Sequence, residues 1–185
     1  MPALRRAPGA RSLSAVLDDA MREYRNAIEL LEAGTSEQLE QLARDLDGFP
    51  DGVDTFIGRR WITNALDCGS SLSVGWMLQR GVSLNFRDEE GYTPLHSVLA
   101  RKQGDRYQLL ERLLAAGAPV NLKGVNDWTP AHMAAALDDV EALRLLVRWG
   151  ADLSIRTDID DQATPLEEAR MLGKSRAAEF LASVV

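Results

Sequence analysis

The stretch Thr93-Pro94-Leu95-His96 occurs three times in related form along the 185-residue sequence. It recurs as Thr129-Pro130-Ala131-His132 and as Thr164-Pro165-Leu166-Glu167, at spacings of 36 and 35 residues. Self-similarity at a fixed period of roughly 20–50 residues indicates a repeat architecture, in which each unit buries its apolar side against its neighbours. The chain is therefore expected to be an array of similar units.

A second marker, built on glycine, keeps step with the first. It reads Gly81-Val82-Ser83-Leu84-Asn85, then Gly117-Ala118-Pro119-Val120-Asn121, then Gly150-Ala151-Asp152-Leu153-Ser154. Gly81 and Gly117 precede the next Thr-Pro position by 12 residues, whereas Gly150 precedes it by 14, so that two residues are inserted there. The 36-residue spacing also adds residues around Arg101 to Tyr107, which predicts a longer turn between the two helices of that unit.

The residues at these markers predict two helices in each unit. Thr129 is a natural N-cap, and Pro130 suits the first helical position, where no N–H is needed. Gly150 suits the left-handed position that ends a helix. Small residues on the first helix let a neighbouring helix approach closely, and aliphatic residues give the second helix a broad apolar face. These residues are Ala131, Ala134, Ala135, Leu143, Leu145, Leu146 and Val147.

The two markers together resemble the ankyrin repeat, a unit of about 33 residues with a β-turn and two antiparallel helices. The resemblance covers Arg60 to Val185, with Arg60-Trp61 in place of Thr-Pro in the first clear unit. It implies an all-α repeat fold, an ankyrin solenoid of stacked helix-turn-helix units with protruding β-turn or hairpin loops. The expected units are 60–92, 93–128, 129–163 and a C-terminal capping repeat at 164–185.

The residues before position 60 depart from this pattern. Two helices are predicted there, Ser14 to Ala33 and Ser36 to Leu46, the second opened by a capping-box pattern. We expect 12–59 to form an N-terminal helical cap with a degenerate first repeat, because the end units of a solenoid need a polar outer face. The stretch 1–11 is expected to be a flexible arm.

Charge and composition narrow the classes of partner. The formal net charge is −7, which argues against a nucleic-acid backbone or an anionic membrane as the main partner and suits a basic protein partner. A single cysteine excludes an internal disulfide and a Cys-cluster metal site. No apolar run approaches the roughly 18–20 residues of a membrane span. A cytoplasmic protein without a cofactor is expected.

The residues that could carry chemistry have structural interpretations. His96 and His132 lie one repeat apart, at the position where an imidazole can bond the Thr hydroxyl and nearby backbone and tie turn to helix. Cys68 has no evident base beside it in the sequence, so an inert thiol is expected. Phosphate-binding glycine patterns, the zinc-protease helix and the Gly-x-Ser-x-Gly elbow are absent from the sequence. A non-catalytic protein is therefore predicted.

A binding surface is predicted on the hairpin tips, because the resemblance to ankyrin repeats implies that partners bind these tips and the exposed side of the first helices. Four tip aromatics beside acidic residues suit anchors of an interface. The alternative is that the rings pack on neighbouring hairpins and the acids are solvated loop charge. The predicted partner-binding residues are Phe56, Ile57, Arg59, Phe86, Glu89, Glu90, Tyr92, Leu122, Val125, Asn126, Trp128, Asp158 and Asp161, with Ile155, Asp160 and Gln162 beside the last two.

The leading functional hypothesis is a protein-binding module that is monomeric alone. One version is an inhibitor or immunity protein that occludes a toxin or enzyme; the 18 Arg against 3 Lys suit a bacterial source with a high GC content. Another version is a secreted bacterial effector that engages host proteins.

Two further classes of function stay open at this stage. The first is an enzyme with an unrecognised site, in which Asp158, Asp160 and Asp161 hold a metal. The second is a self-associating structural unit, paired through exposed apolar residues such as Trp149, Val184 and Val185.

Overall fold

The computed structural model describes residues 12–158 and 162–185, and these residues form α-helices joined by turns. An all-α repeat solenoid is thereby confirmed. Within the described residues the only β-type pairing outside helices is an isolated bridge between Val53 and Arg60, and Val125–Asp127 form a short 3-10 turn. The helices are α1 (Leu13–Ala33), α2 (Ser36–Asp45), α3 (Trp61–Cys68), α4 (Ser71–Gln79), α5 (Pro94–Ala100), α6 (Arg106–Ala115), α7 (Pro130–Ala136), α8 (Val140–Arg148), α9 (Pro165–Met171) and α10 (Ser175–Val184).

The helices stack in two rows, each helix against the one two places along the chain. Helices α1, α3, α5, α7 and α9 contact one another in that order and form the first row. Helices α2, α4, α6, α8 and α10 form the second row in the same way. Each first-row helix also packs on the second-row helix that follows it in the chain. The described chain therefore holds five helix pairs, of which α1 and α2 are the first.

The markers of the sequence act where the helices begin and end. The Thr93 hydroxyl accepts the backbone N–H of His96, and Thr164 forms a capping box with Glu167, while Pro follows the cap in both cases. Arg60, which replaces Thr in the first clear unit, makes no side-chain cap bond. Gly81, Gly117 and Gly150 follow the second-row helices α4, α6 and α8 with φ of 68°, 90° and 83°. At these angles any side chain would be strained, so glycine fixes the exit from the helix.

The core lies between the two rows. Ala131, Ala134 and Ala135 on α7 are buried, which allows α5 and α9 to lie close on either side. At the N-terminal end large rings take over, since Phe49 lies 5.5 Å from Trp61 and 5.8 Å from Trp76, measured between ring centroids. Trp61, Trp76 and Met77 are all buried in this part of the core.

Helix α1 is much longer than the other first-row helices, at 21 residues against seven or eight. Its first buried residue is Ala27, so its C-terminal part packs on the array while its N-terminal part projects beyond it. Among the described residues no helix is both long and apolar enough to cross a membrane.

The predicted longer turn is confirmed between α5 and α6, where five residues connect the helices and only two connect α3 to α4. The turn carries Arg101, which is 4% exposed although it is charged. Its guanidinium donates to the carbonyl oxygens of Leu66 (2.8 Å) and Gly69 (2.7 Å) and pairs with Asp105 (Nε to Oδ1, 2.8 Å). This Arg101 side chain holds the pKa of Asp105 below its usual value. The inserted residues therefore join two neighbouring units.

Two buried histidines also connect neighbouring units. The predicted bond between His96 and Thr93 is confirmed, with Nδ1 2.7 Å from the hydroxyl oxygen, and Nε2 lies 3.1 Å from the carbonyl oxygen of Trp128. His132 repeats this arrangement with Thr129 and the carbonyl oxygen of Ala163. A carbonyl only accepts, so Nε2 donates and Nδ1 accepts from the hydroxyl. Burial is the main cause that lowers the pKa of His96 to about 4 and lowers that of His132.

Arg101→Met should lower the free energy of unfolding by about 3 kcal/mol, because it leaves two carbonyls and the Asp105 carboxylate without their donor. Urea unfolding followed by circular dichroism measures the change. The exposed neighbour offers a matched control, since Lys102→Met should change stability by less than about 0.5 kcal/mol. Equal effects of the two substitutions would show that the Arg101 contacts add nothing to stability.

Stability should fall as the pH drops below the usual pKa of histidine. The unfolded chain takes up a proton on His96 near about pH 6.5, whereas the folded chain resists protonation down to about pH 4. Unfolding should therefore be easier by roughly 1.4 kcal/mol at about pH 5.5 than at about pH 7.5 from His96 alone, with His132 adding in the same direction. His96→Asn should remove its share of this difference. An imidazole of His96 that titrates near 6.5 by NMR would contradict the assignment.

Candidate protein-binding surface

Four hairpins project from the first row, and they precede α3, α5, α7 and α9. Each is closed by a backbone bond whose carbonyl belongs to the residue directly before the helix cap. The donor and acceptor pairs are Asp54 with Arg59 (2.8 Å), Asp88 with Tyr92 (2.9 Å), Gly124 with Trp128 (2.7 Å) and Thr157 with Ala163 (3.1 Å). The hairpins are thus fixed to the helix starts, and they form a row because those helices stack.

The tip of the first hairpin is organised by one carboxylate. Asp54 is buried, and it accepts the backbone N–H groups of the four residues 56–59 at 2.6–3.2 Å together with Asn64 Nδ2 at 3.1 Å. Because the backbone wraps around this group, the side chains of Phe56 and Ile57 are turned outward and are 40% and 44% exposed. Both were predicted as partner-binding residues.

The second hairpin uses the same device. Asp88 Oδ1 accepts the backbone N–H groups of Glu90 (3.1 Å) and Tyr92 (2.7 Å), and the side chains of Glu89 and Glu90 stay exposed. Sequence reasoning missed the role of Asp54 and Asp88. The available signal was an aspartate a few residues before a helix start, where Asp bonds the backbone of a turn.

A cavity of about 460 Å³ lies between the first two hairpins. It brings together five of the predicted residues, Ile57 and Arg59 from the first hairpin and Phe86, Glu89 and Glu90 from the second. Arg60, which was not predicted, stacks its guanidinium 4.6 Å from the Phe86 ring centroid, and Arg59 pairs with Asp67 at 2.7 Å. The cavity thus combines apolar walls with charges of both signs. Its lining residues are Val53, Ile57, Gly58, Arg59, Arg60, Phe86, Arg87, Asp88, Glu89 and Glu90.

The four tip aromatics differ in their surroundings. Phe56 is the most outward of them, although its ring centroid lies 5.5 Å from that of Tyr24 on α1. Phe86 is half-buried beneath Arg60, and the half-buried Tyr92 ring meets His96 edge-on at 6.4 Å. Trp128 is half-buried as well. Phe86 thus contacts a residue at the base of the neighbouring hairpin, as the alternative supposes, whereas Tyr92 contacts a histidine of its own unit.

The third and fourth hairpins lie outside this cavity. Lys123 joins them, because its Nζ contacts both Asp127 (3.0 Å) and Asp158 (2.7 Å). Asn126 is exposed with a φ of 55°, whereas Leu122 and Val125 are half-buried; Ile155 is half-buried and Gln162 exposed. Asp158 is therefore paired with a cation in the free protein.

The hypothetical metal loop cannot be placed, because Asp160 and Asp161 lie outside the described residues. Among residues 12–158 and 162–185 no three His, Cys, Asp or Glu side chains are grouped as metal ligands. The Cys68 thiol donates to the carbonyl oxygen of Asn64 at 3.2 Å, and burial raises its pKa. A thiol held protonated in this way is a poor nucleophile.

Asp54→Asn should loosen the first tip, because one amide oxygen cannot accept the five bonds that the carboxylate accepts. We expect a loss of about 2 kcal/mol in unfolding free energy and faster hydrogen exchange at the amides of residues 56–59. Asp47→Asn makes the same charge change at an exposed residue and should leave both measurements unchanged. Unaltered exchange in Asp54→Asn would show that the carboxylate does not order the tip.

Comparison with known proteins agrees with the repeat pattern. A family model described as ankyrin repeats (3 copies) matches residues 62–157 and 98–184. The mouse RelA-associated inhibitor is 36% identical over 99 residues, which are 52% of this chain and 12% of that protein. The human BCL-6 corepressor-like protein 1 is 32% identical over 130 residues, 70% of this chain and 7% of that protein.

A bacterial relative is also similar. An ankyrin repeat protein of Rickettsia bellii is 27% identical over 85 residues, which are 44% of this chain and 24% of the relative. The chain thus spans a quarter or less of the length of these three relatives. The matched family model covers most of this chain, from the start of α3 to the end of α10, and ankyrin repeats serve as protein–protein interaction modules. This chain belongs to the ankyrin repeat family.

Proposed function

We propose that this chain is a non-catalytic module that binds one protein partner through its hairpin tips and the exposed side of its first-row helices. The observation that supports this most directly is the cavity between the first two hairpins. Asp54 and Asp88 hold its two rims through backbone bonds within the free protein. A surface ordered before binding loses less conformational entropy on association, which favours affinity.

The groups on this surface suggest the chemistry of the partner. Ile57 and Phe86 offer apolar contact area, and Glu89 and Glu90 stand beside them without burial. Arg59 and Arg60 are already engaged by Asp67 and by the Phe86 ring. The charge that stays open to a partner is that of the exposed Glu89 and Glu90 and of the exposed Arg87 between Phe86 and Asp88. A basic side chain next to an apolar one would fit both features, in line with the net charge of −7.

An inhibitor or immunity protein is the specific version we favour. Its support is the printed name of the mouse relative, an inhibitor, together with the bacterial ankyrin protein among the similar sequences. A bacterial cytoplasmic setting belongs to this version, and a secreted effector that engages host proteins is the alternative. Trp149, Val184 and Val185 are exposed, but we propose that the chain is monomeric alone, which light scattering tests.

The exposed carboxylates allow a test that leaves the fold intact. Glu89→Lys/Glu90→Lys should weaken capture of the partner from a lysate of the source organism by at least about tenfold, because the reversal repels a basic group. Glu141→Lys/Glu179→Lys changes the charge equally at exposed positions on the second row and should capture the partner as the unchanged protein does. Equal capture by both variants would remove the hairpin surface from the proposal.

A further inference from the structure

The projecting half of α1 exposes a continuous apolar stripe. Leu13, Val16, Leu17 and Met21 are 82%, 52%, 54% and 37% exposed and lie on one side of the helix. Farther along the same side come Tyr24, Ile28 and Leu31, which pack on the core of the array. The stripe is therefore a core-forming helix face whose N-terminal half is left uncovered among the described residues.

The spacing of the stripe is that of a helix-pairing seam. Leu17, Met21, Tyr24, Ile28 and Leu31 follow one another at intervals of 4, 3, 4 and 3 residues. An apolar repeat of 3.5 residues on average is the pattern that packs one helix along another. Its C-terminal half packs on the array, where α1 contacts α3, and α3 is only eight residues long against 21 in α1. The seam thus continues past the end of the helix that covers its inner half.

An uncovered half-helix of this kind lacks its main source of stability. A helix of about 12 residues is marginal in water, and most helical stability in proteins comes from packing of the apolar face. No described residue before Ala27 is buried in α1. A second helix laid along the open seam would supply the missing contacts.

The charge around the stripe indicates which helix fits. Residues 1–58 contain eleven acidic and six basic side chains, three of which are Arg5, Arg6 and Arg11 ahead of α1, whereas residues 59–185 contain seventeen and fifteen. The first 58 residues therefore carry five of the seven excess negative charges. Pairing of two copies through this face would bring two such acidic units together, and an anionic membrane would be repelled in the same way.

We propose that the projecting half of α1 binds a basic amphipathic helix of a partner protein. The apolar side of that helix lies along Leu13, Val16, Leu17 and Met21, and its lysines or arginines face the acidic first unit. The first hairpin borders the site through Phe56, which contacts Tyr24. The site is distinct from the hairpin cavity and does not depend on the function proposed above.

The test uses a synthetic peptide of leucine and lysine with leucines at alternating 4- and 3-residue spacing, and a scrambled peptide of the same composition. The ordered peptide should bind the full chain, more weakly at high salt, and should slow hydrogen exchange in residues 13–24. Leu17→Ser/Met21→Ser should weaken binding at least about tenfold, because two apolar contacts are lost. Met171→Ser/Leu172→Ser removes the same two side-chain types at the exposed C-terminal end of α9 and should bind unchanged.

Several results would overturn the proposal. They are absence of binding by the ordered peptide, equal binding of the scrambled peptide, equal binding by both variants, or a dimer by light scattering that Leu17→Ser/Met21→Ser dissociates. Glu89→Lys/Glu90→Lys separates this site from the hairpin surface. If this hairpin variant binds the ordered peptide within about threefold of the unchanged protein, the peptide lies on α1. If Glu89→Lys/Glu90→Lys lost peptide binding while Leu17→Ser/Met21→Ser kept it, the peptide would bind the hairpin surface and the α1 site would be wrong.

Discussion

The bond from a buried histidine to the carbonyl that precedes the next helix is the contact on which the regular part of the array depends. His96 reaches Trp128 and His132 reaches Ala163, so each helix start is fixed by the unit before it. The same two carbonyls also accept the backbone N–H groups of Gly124 and Thr157, which closes the hairpins. The histidine bond therefore fixes both helix stacking and hairpin position. Burial lowers the pKa of both imidazoles, which favours the neutral form in which Nε2 donates to the carbonyl.

Two first-row helices, α3 and α9, replace this contact with others. In α3 the position of the histidine is Thr63, and the connection to the next unit comes instead from Arg101, which reaches back to Leu66 and Gly69. In α9 the position is Glu167, which caps its own helix and pairs with Arg156 of its own hairpin at 2.8 Å. Only a unit followed by another unit has a carbonyl for the histidine to reach. The unit of α3 is followed by another unit, so there Arg101 supplies the connection that Thr63 does not make.

The repeat pattern was sufficient to predict the helices of the array, and the two helices before it within one residue at an end, because caps and apolar spacing are local properties. The surroundings of the tips were not accessible in this way. Burial of Phe86 depends on Arg60 from the previous unit, and the charge of Asp158 is met by Lys123 one unit earlier. The five hydrogen bonds that the Asp54 carboxylate accepts were likewise missed, since the donors converge only after the hairpin folds. Contacts between units decide these features, and a repeat pattern describes each unit alone.

The two proposed surfaces meet at the first hairpin but differ in their electrostatics. Ile57 lines the cavity, where cations and carboxylates lie close together. The Phe56 ring instead contacts Tyr24 of the acidic first unit. Mixed charges cancel beyond roughly 10 Å in physiological salt, so the cavity acts on a partner only at contact. An excess of one sign extends farther and raises the rate of encounter. In the binding proposed above, a basic partner is therefore first attracted at the N-terminal end of the solenoid, and the ordered hairpins beside it select among such partners.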